Sequence, residues 1–231
     1  MRATLSCALI AVATAAGAAP KVEDTMAQRL LACTGCHGKQ GRAASDGYYP
    51  RIAGKPAGYL YNQLQNFRDG RREYRLMADL IAPLNDAYLR EIAAHFASLD
   101  LPYPPSQPAT TTPALLQRGE QLALRGDPAR RLPACAQCHG EALTGVMPAL
   151  PGLLGVPRDY LTAQLGAWLS GNRHAQAPDC MSQIAERLAP DDVGAVAQWL
   201  AAQPVPAQGK PASALPAALP MPCGADAGMK R

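Results

Sequence analysis

An internal repeat constrains the fold of this 231-residue chain more than any other feature of its sequence. The pattern Cys-x-x-Cys-His occurs at residues 33–37 and returns, roughly a hundred residues later, at residues 135–139. The segments 50–70 and 151–171 then align without a gap and share Pro, Tyr, Gln, Leu and an aromatic residue at equivalent places. Self-similarity at a fixed period indicates a tandem duplication, so the chain is predicted to contain two copies of one unit.

Each unit is predicted to be built from helices. Residues 58–68 and 159–169 place Tyr, two Leu and an aromatic residue on one apolar face at helical spacing. Residues 85–86 and 190–192 have the composition of N-caps, and each would start a last helix in its unit. Because neither unit has a convincing strand-like alternation, we expect an all-α fold.

The repeat and the composition around it define the expected domains. The linker should be semi-stiff because it is rich in Pro and Thr, and the Pro/Ala-rich tail should not form a domain of its own. The expected boundaries are a signal peptide at 1–19, a first unit at 20–102, a linker at 103–113, a second unit at 114–204 and a tail at 205–231.

The N-terminus has the pattern of a secretory signal peptide. Arg2 precedes a short apolar stretch, and the small residues at 16–18 fit an A-x-A cleavage site, which places cleavage near Ala18 or Ala19. No later segment approaches 18 unbroken apolar residues, so the mature chain is expected to lack a transmembrane segment. We therefore expect a periplasmic protein, for which peripheral association with a membrane stays open.

Composition excludes one class of partner and indicates a non-peptide group in the interior. The formal net charge of +4 without a run of Lys or Arg does not fit a nucleic-acid-binding protein. Aromatic residues make up only 5% of the chain, which is little to fill two small cores. Something other than side chains is expected to supply part of the apolar interior.

The Cys-x-x-Cys-His pattern is typical of covalent haem c attachment, in which two thiols bond the haem and the histidine binds iron. A thioredoxin-like redox pair would need a βαβ context, and a zinc site would need further ligands at suitable spacing. Two matches in equivalent helical units of an exported chain favour haem over both alternatives. The sequence thus predicts two covalently bound haem c groups, with thioether bonds and proximal iron ligands at Cys33, Cys36, His37, Cys135, Cys138 and His139.

Two methionines are the candidates for the second iron ligand. Met77 and Met181 occupy equivalent places in the two units, 40 and 42 residues after His37 and His139. The haem iron of an electron carrier needs a sixth ligand, and methionine is the choice that raises the potential by favouring ferrous iron. His174 could compete with Met181, but a solvated loop histidine is the simpler interpretation.

Neighbouring groups should support these sites. The carbonyls of Pro50 and Pro151 are candidates to accept a hydrogen bond from the second ring nitrogen of each histidine. The candidates for pairing with haem propionates are Arg51, Arg68, Arg71 and Arg72. With both axial positions of each iron filled, no position is open for a substrate, so we expect an electron-transfer protein and not an enzyme.

The chain resembles the di-haem cytochromes c of the cytochrome c4 / c553 type, which are class I cytochromes duplicated in tandem. The resemblance covers residues 22–203 and rests on "CTGCHGKQGRA", "YPRIAGKPAGYLYNQLQNFRDGRR", "RGEQLALRGDPARRLPACAQCHG" and the two closing helices. It implies two small helical bundles, each around one His/Met-ligated haem, and haems close enough to exchange electrons. It also implies weak, transient docking to redox partners such as a membrane-bound cytochrome complex or terminal oxidase.

Cys180 and Cys223 depart from the family pattern. They are the cysteines left after haem attachment and signal removal, and an oxidising compartment favours a disulfide between them that would pin the tail beside the second haem. In the alternative, Cys180 is an iron ligand. A cysteine ligand is associated with catalytic or sensory di-haem cytochromes, including thiosulfate-oxidising ones. The alternative function is therefore a di-haem oxidoreductase of the thiosulfate-oxidising type or the cytochrome subunit of a periplasmic dehydrogenase, and an iron with a non-methionine or displaceable ligand would distinguish it.

Overall fold

The computed structural model describes residues 23–43 and 47–225. The predicted signal peptide lies outside the described residues, so its prediction is not addressed by the structure. The described chain is mostly helical and contains two similar units joined by an extended segment.

The first unit is a small helical bundle. Its core lies between α3 and α5, where Leu60, Phe67, Leu89 and Phe96 are buried. The side chain of Asn85 caps α5 by accepting a hydrogen bond from the amide of Tyr88 at 2.9 Å. The helices are α1 (Met26–Arg29), α2 (Leu31–His37), α3 (Ala57–Arg68), α4 (Arg75–Ile81) and α5 (Asp86–Ser98), with a short 3₁₀ turn at Lys39–Gly41.

The second unit repeats this plan and adds a longer first helix. Its helices are α6 (Pro113–Leu124), α7 (Cys135–His139), α8 (Arg158–Leu169), α9 (Cys180–Arg187) and α10 (Pro190–Ala202), with a 3₁₀ turn at Pro128–Arg130. A minimal hairpin pairs β1 (Gly145–Val146) with β2 (Leu150–Pro151). Strands of two residues are too short to leave a period in the sequence, which explains why the helical interpretation omitted them.

The first and last helices of the second unit cross in close contact at a glycine. A Cβ atom added to Gly119 of α6 would collide with the backbone oxygen of Ala195 in α10 and lie 2.8 Å from Trp199 Cβ. A side chain at this position would therefore force α6 and α10 apart.

Ion pairs reinforce the same crossing. Arg118 of α6 binds Asp192 at 2.8 Å and Asp127 at 2.9 Å, and Arg130 binds Asp192 at 2.6 Å. Asp192 is buried and also accepts a hydrogen bond from the amide of Ala189 at the start of α10. These bonds tie the two helices and the intervening loop together.

The two units meet in an arrangement with approximate two-fold symmetry. Arg72 donates to Gln63 at 3.0 Å within its own unit, and to Tyr160 at 2.8 Å and Gln164 at 2.6 Å across the interface. Arg173 donates to Gln164 at 2.6 Å within its own unit and to Gln63 at 3.2 Å across the interface. Each arginine of the interface therefore holds the glutamine of both units.

The linker and the tail both pack against the units. Arg51 donates to the carbonyls of Leu101 and Pro102 at 2.6 and 2.9 Å and lies over the ring of Tyr103, 4.1 Å from its centroid. Ala212 in the tail exchanges backbone hydrogen bonds with the segment around β1, and the described part of the tail adds no α-helix.

Substituting Gly119 by Ala is predicted to destabilise the second unit by about 1–3 kcal/mol, because the added methyl group must push α6 away from α10. Thermal or denaturant unfolding of the holoprotein measures the change. Gly194→Ala is the matched control, since Gly194 lies in α10, the other helix of the crossing, and nothing lies within 4 Å of an added Cβ there. Equal stability of the two variants would contradict a close helix crossing at Gly119.

Substituting Asp192 by Asn is predicted to destabilise the protein at neutral pH by about 1–3 kcal/mol, because Arg118 and Arg130 lose their shared partner. The Arg118 guanidinium holds the pKa of Asp192 below its usual value of 3.8. A carboxylate with a lowered pKa stabilises the fold above its unfolded pKa, and that contribution is lost as pH falls through the folded pKa. The difference in free energy of unfolding between Asp192→Asn and the parent protein should therefore shrink below about pH 4. Denaturant unfolding at neutral and acidic pH measures it, and the exposed control Asp191→Asn should be about as stable as the parent protein at both.

Candidate haem-binding site

A cavity of about 1000 Å³ runs through the interior of both units and across their interface. This is at the upper end of the size range of small-molecule sites in proteins. Most of its lining is apolar, with aliphatic and aromatic side chains from both cores. The structure brings seven of the eight predicted haem or iron residues to its walls, namely Cys33, His37, Met77, Cys135, Cys138, His139 and Met181.

Each Cys-x-x-Cys-His motif forms a short helix that ends at its histidine. Cysteines three residues apart lie on the same side of a helix, which suits two bonds to one planar group. Gly38 and Gly140 follow directly with φ of 74° and 85°, a backbone conformation that favours glycine. The chain therefore turns away immediately after each histidine and leaves the imidazole at the cavity wall.

The two histidines have equivalent hydrogen-bond partners in the two units. His37 Nδ1 donates to the Pro50 carbonyl at 2.8 Å, and His139 Nδ1 donates to the Pro151 carbonyl at 2.7 Å. These acceptors are the ones predicted from the sequence. A histidine that donates through Nδ1 keeps Nε2 unprotonated and available for a metal ion.

The environment keeps both imidazoles neutral. Burial lowers the pKa of His37 and of His139, and the nearby Lys55 ammonium lowers the pKa of His139 further, against the raising effect of its proline carbonyl. A neutral imidazole is the form that binds metals, so the burial of these rings favours iron ligation.

The thiols differ from those of redox or zinc-binding pairs. Burial raises the pKa of Cys33 and Cys138, and raises the pKa of Cys135 to about 11. Redox-active and metal-binding cysteines have lowered pKa values, so these thiols fit covalent attachment to an apolar group better. The described part of the chain also holds no cluster of three or more His, Cys, Asp or Glu suited to a metal ion.

Cys36 is the predicted attachment residue that the structure places differently. Its side chain is exposed and lies outside the cavity lining, whereas its repeat equivalent Cys138 lies on the wall. Cys36 is three residues from Cys33 on the same helix, α2, so its thiol lies on the same side of that helix.

The candidate methionine ligands lie on equivalent short helices, Met77 on α4 and Met181 on α9. Asp179 orders the segment before Met181: its carboxylate accepts hydrogen bonds from the amides of Ala175 at 2.6 Å and Ser182 at 3.0 Å. His174 is exposed and does not line the cavity, which fits a surface role.

Four cationic side chains line the cavity without a carboxylate partner among the residues that the structure describes. Arg51 and Arg72 were expected near the propionates, and the sequence interpretation missed Lys55 and Arg173. Their hydrogen-bond partners include backbone carbonyls, amide oxygens and a tyrosine hydroxyl. Burying uncompensated positive charge is costly, so a set of buried cations fits a ligand that brings its own carboxylates, as haem does.

Two of the expected propionate partners lie elsewhere. Arg68 pairs with Asp86 at 2.7 Å and Arg71 pairs with Asp69 at 2.9 Å, and neither arginine lines the cavity. Arg173 could have been found instead, because it is the repeat equivalent of Arg72.

Cys180 and Cys223 form a disulfide, which confirms the predicted pairing. The bond lies directly beside Met181 in sequence, and both of its cysteines line the cavity together with Leu219 and Met221 of the tail. The tail therefore closes part of the cavity in the second unit, which is the second predicted haem site. Because its sulfur is in this bond, Cys180 has no thiolate to offer iron in this structure.

Replacing both cysteines, as in C180S/C223S, is predicted to release the tail from the second unit. Without the covalent anchor, the segment 204–222 keeps the backbone hydrogen bonds of Ala212, the exposed Lys210–Asp100 ion pair and the packing of Val205 on the second core. Exposed contacts of this kind open at low free-energy cost. Limited proteolysis of the holoprotein, followed by mass spectrometry, should show cleavage in this segment at least several-fold faster than in the parent protein, with other sites unchanged. Equal rates would show that the disulfide does not hold the tail.

Curated relatives cover most of the chain. The thiosulfate dehydrogenase electron acceptor of Thiomonas intermedia (strain K12) is 38% identical over 189 residues, which is 81% of this chain and 86% of that protein. Cytochrome c4 of Thiocapsa roseopersicina is 33% identical over 189 residues, covering 79% of this chain and 94% of that protein. No protein-family model matches the chain.

Solved structures agree with these relatives. Reduced cytochrome c4 from Pseudomonas stutzeri superposes with a TM-score of 0.66 at 28% identity, covering 76% of this chain and 95% of that one. Thiosulfate dehydrogenase from Marichromatium purpuratum also gives a TM-score of 0.66, at 34% identity, but the match covers 74% of this chain and only 36% of that longer chain. The fold, the haem-type motifs and these relatives together show that the chain belongs to the cytochrome c4 family, electron-transfer proteins with two class I cytochrome c domains in tandem.

Proposed function

We propose that this protein is a periplasmic di-haem cytochrome c that carries electrons one at a time between respiratory partners. Each unit binds one haem c through its two motif cysteines, with His37 and Met77 as iron ligands in the first unit and His139 and Met181 in the second. The domain boundaries inferred from the sequence and cleavage near Ala18 or Ala19 are part of the same proposal.

One observation carries the proposal: two equivalent histidine–proline pairs line a single cavity that continues from one unit into the other. Bound haem supplies reversible one-electron exchange between ferric and ferrous iron. The protein anchors the group through thiols, orients each imidazole through a proline carbonyl, and offsets carboxylate charge with buried cations. A continuous cavity supports close approach of the two groups.

The relatives favour a particular donor. Two of them, from Thiomonas intermedia and Stutzerimonas stutzeri, are named thiosulfate dehydrogenase electron acceptors and are 38% and 37% identical to this chain. The protein therefore accepts electrons from a thiosulfate dehydrogenase and delivers them to a membrane-bound cytochrome complex or terminal oxidase. Docking to both is transient and uses small interfaces.

Membrane association would have to be peripheral for the described part of the chain. None of the helices there has both the length and the apolar character that a bilayer crossing requires. Delivery of electrons to a membrane complex then takes place by docking at the membrane surface.

Removing either methionine is predicted to halve the far-red methionine-to-iron absorption band of the oxidised holoprotein. Met77→Ala and Met181→Ala should each leave one haem without its sulfur ligand while the haem content stays at two per chain. Met147→Ala is the control, because Met147 is 44% exposed and does not line the cavity. A parent protein with only half the expected band would contradict one of the two ligand assignments.

The donor is tested by mixing the oxidised holoprotein with a thiosulfate dehydrogenase and thiosulfate, and following haem reduction by stopped flow. Fast reduction that requires the dehydrogenase is the expected result. Reduction by thiosulfate alone would indicate a catalytic oxidoreductase, and no reduction in either mixture would refute this donor.

A further inference from the structure

Lys55 is a buried cation of the first unit, and its hydrogen-bond acceptor lies in the second unit. Its ammonium group donates to the carbonyl of Gly152 at 2.9 Å, and the residue is only 6% exposed. Gly152 directly follows Pro151, whose carbonyl accepts the hydrogen bond from His139 Nδ1 at 2.7 Å. Lys55 therefore lies next to the segment that holds the predicted iron ligand of the other unit.

This contact has no counterpart in the opposite direction. In the repeat, Lys55 aligns with Val156, a neutral residue, between the shared Gly54/Gly155 and Pro56/Pro157 pairs. By contrast, the arginines and glutamines of the interface occur in both units. Arg51, which aligns with Gly152, is another buried cation without a repeat counterpart, but its hydrogen bonds stay within the first unit. Lys55 is the cation that breaks this symmetry at the second site.

We propose that Lys55 is a positioning residue through which the first unit raises the reduction potential of the haem in the second unit, so that the two haems are inequivalent. This rests on the proposed function, namely one haem in each unit. Reduction removes one positive charge from the iron site, so a fixed cation nearby favours the reduced form. In a buried site such an interaction is screened much less than at the surface.

The hydrogen bond to Gly152 does not by itself explain a lysine at this position. A neutral donor could satisfy the same carbonyl, whereas burying an ammonium group costs desolvation energy. Burial lowers the pKa of Lys55 to about 8, which reflects this cost. A charge kept at such a cost is accounted for if it acts on the neighbouring redox site.

The test is a spectroelectrochemical titration of the holoprotein carrying Lys55→Met, which removes the charge and keeps the length of the side chain. Met77→His serves as the background, because replacing methionine lowers the potential of the first haem and separates its titration from that of the second. The second haem is expected to become harder to reduce by about tenfold in its equilibrium constant, which is about 59 mV for one electron. The first haem should change much less.

Two further variants separate the effect of the Lys55 charge from the effect of altering its side chain and its hydrogen bond. Lys55→Gln retains a hydrogen-bond donor without the charge, and it should shift the second haem in the same direction. Lys210→Met removes an equal charge from an exposed lysine that pairs with Asp100 at the surface, and it should shift neither potential.

The possible outcomes distinguish a failure of the Lys55 proposal from a failure of the proposed function. An unchanged second potential in both Lys55 variants, or equal shifts of the two haems, would refute the role of Lys55 while leaving the di-haem proposal intact. A parent holoprotein with fewer than two haems per chain would refute the proposed function, and this inference with it.

Discussion

The interior of this protein depends on a space that its own side chains do not fill. The cavity of about 1000 Å³ lies where two small helical cores would otherwise close, and the chain has few aromatic residues with which to fill it. Protein interiors are normally packed as densely as organic crystals, so an apolar space of this size implies a resident group. A resident group explains why thiols, imidazoles and buried cations are placed around this space.

The interface between the units follows from the same requirement. Arg72 and Arg173 would be poor choices for an ordinary domain contact, because Arg72 is half-buried, Arg173 is buried, and neither has a carboxylate partner among the described residues. Their hydrogen bonds to Gln63 and Gln164 satisfy the guanidinium groups but do not neutralise them. A tandem duplication explains the near symmetry, since each unit brought the same arginine and glutamine to the shared surface.

The two copies differ in the surroundings of their predicted haem sites. The disulfide between Cys180 and Cys223 closes the second site with the tail, while the equivalent helix of the first unit leaves Leu76 65% exposed. Lys55 adds a charge next to the second site alone. Two copies of one unit start out equal, so additions such as these are what would allow the proposed haem sites to differ in access and in potential.

The sequence by itself determined the repeat and the helical class, and it predicted the chemistry of the sites. It did so because the attachment motif is local, and because helical spacing places α3 and α8 where the apolar faces predicted them. The proline acceptors of the two histidines and the pairing of Cys180 with Cys223 also followed from the sequence, through repeat equivalence and elimination.

Only the tertiary structure decided which distant groups meet. Lys55 reaches Gly152, 97 residues away, and the tail returns to α9 with a separation of 43 residues at the disulfide. It also showed that Arg68 pairs at the surface while Arg173 lines the cavity. The physical reason is that a motif or a helix is specified by neighbours along the chain, whereas contacts between units depend on how two folded surfaces fit together, which no local pattern encodes.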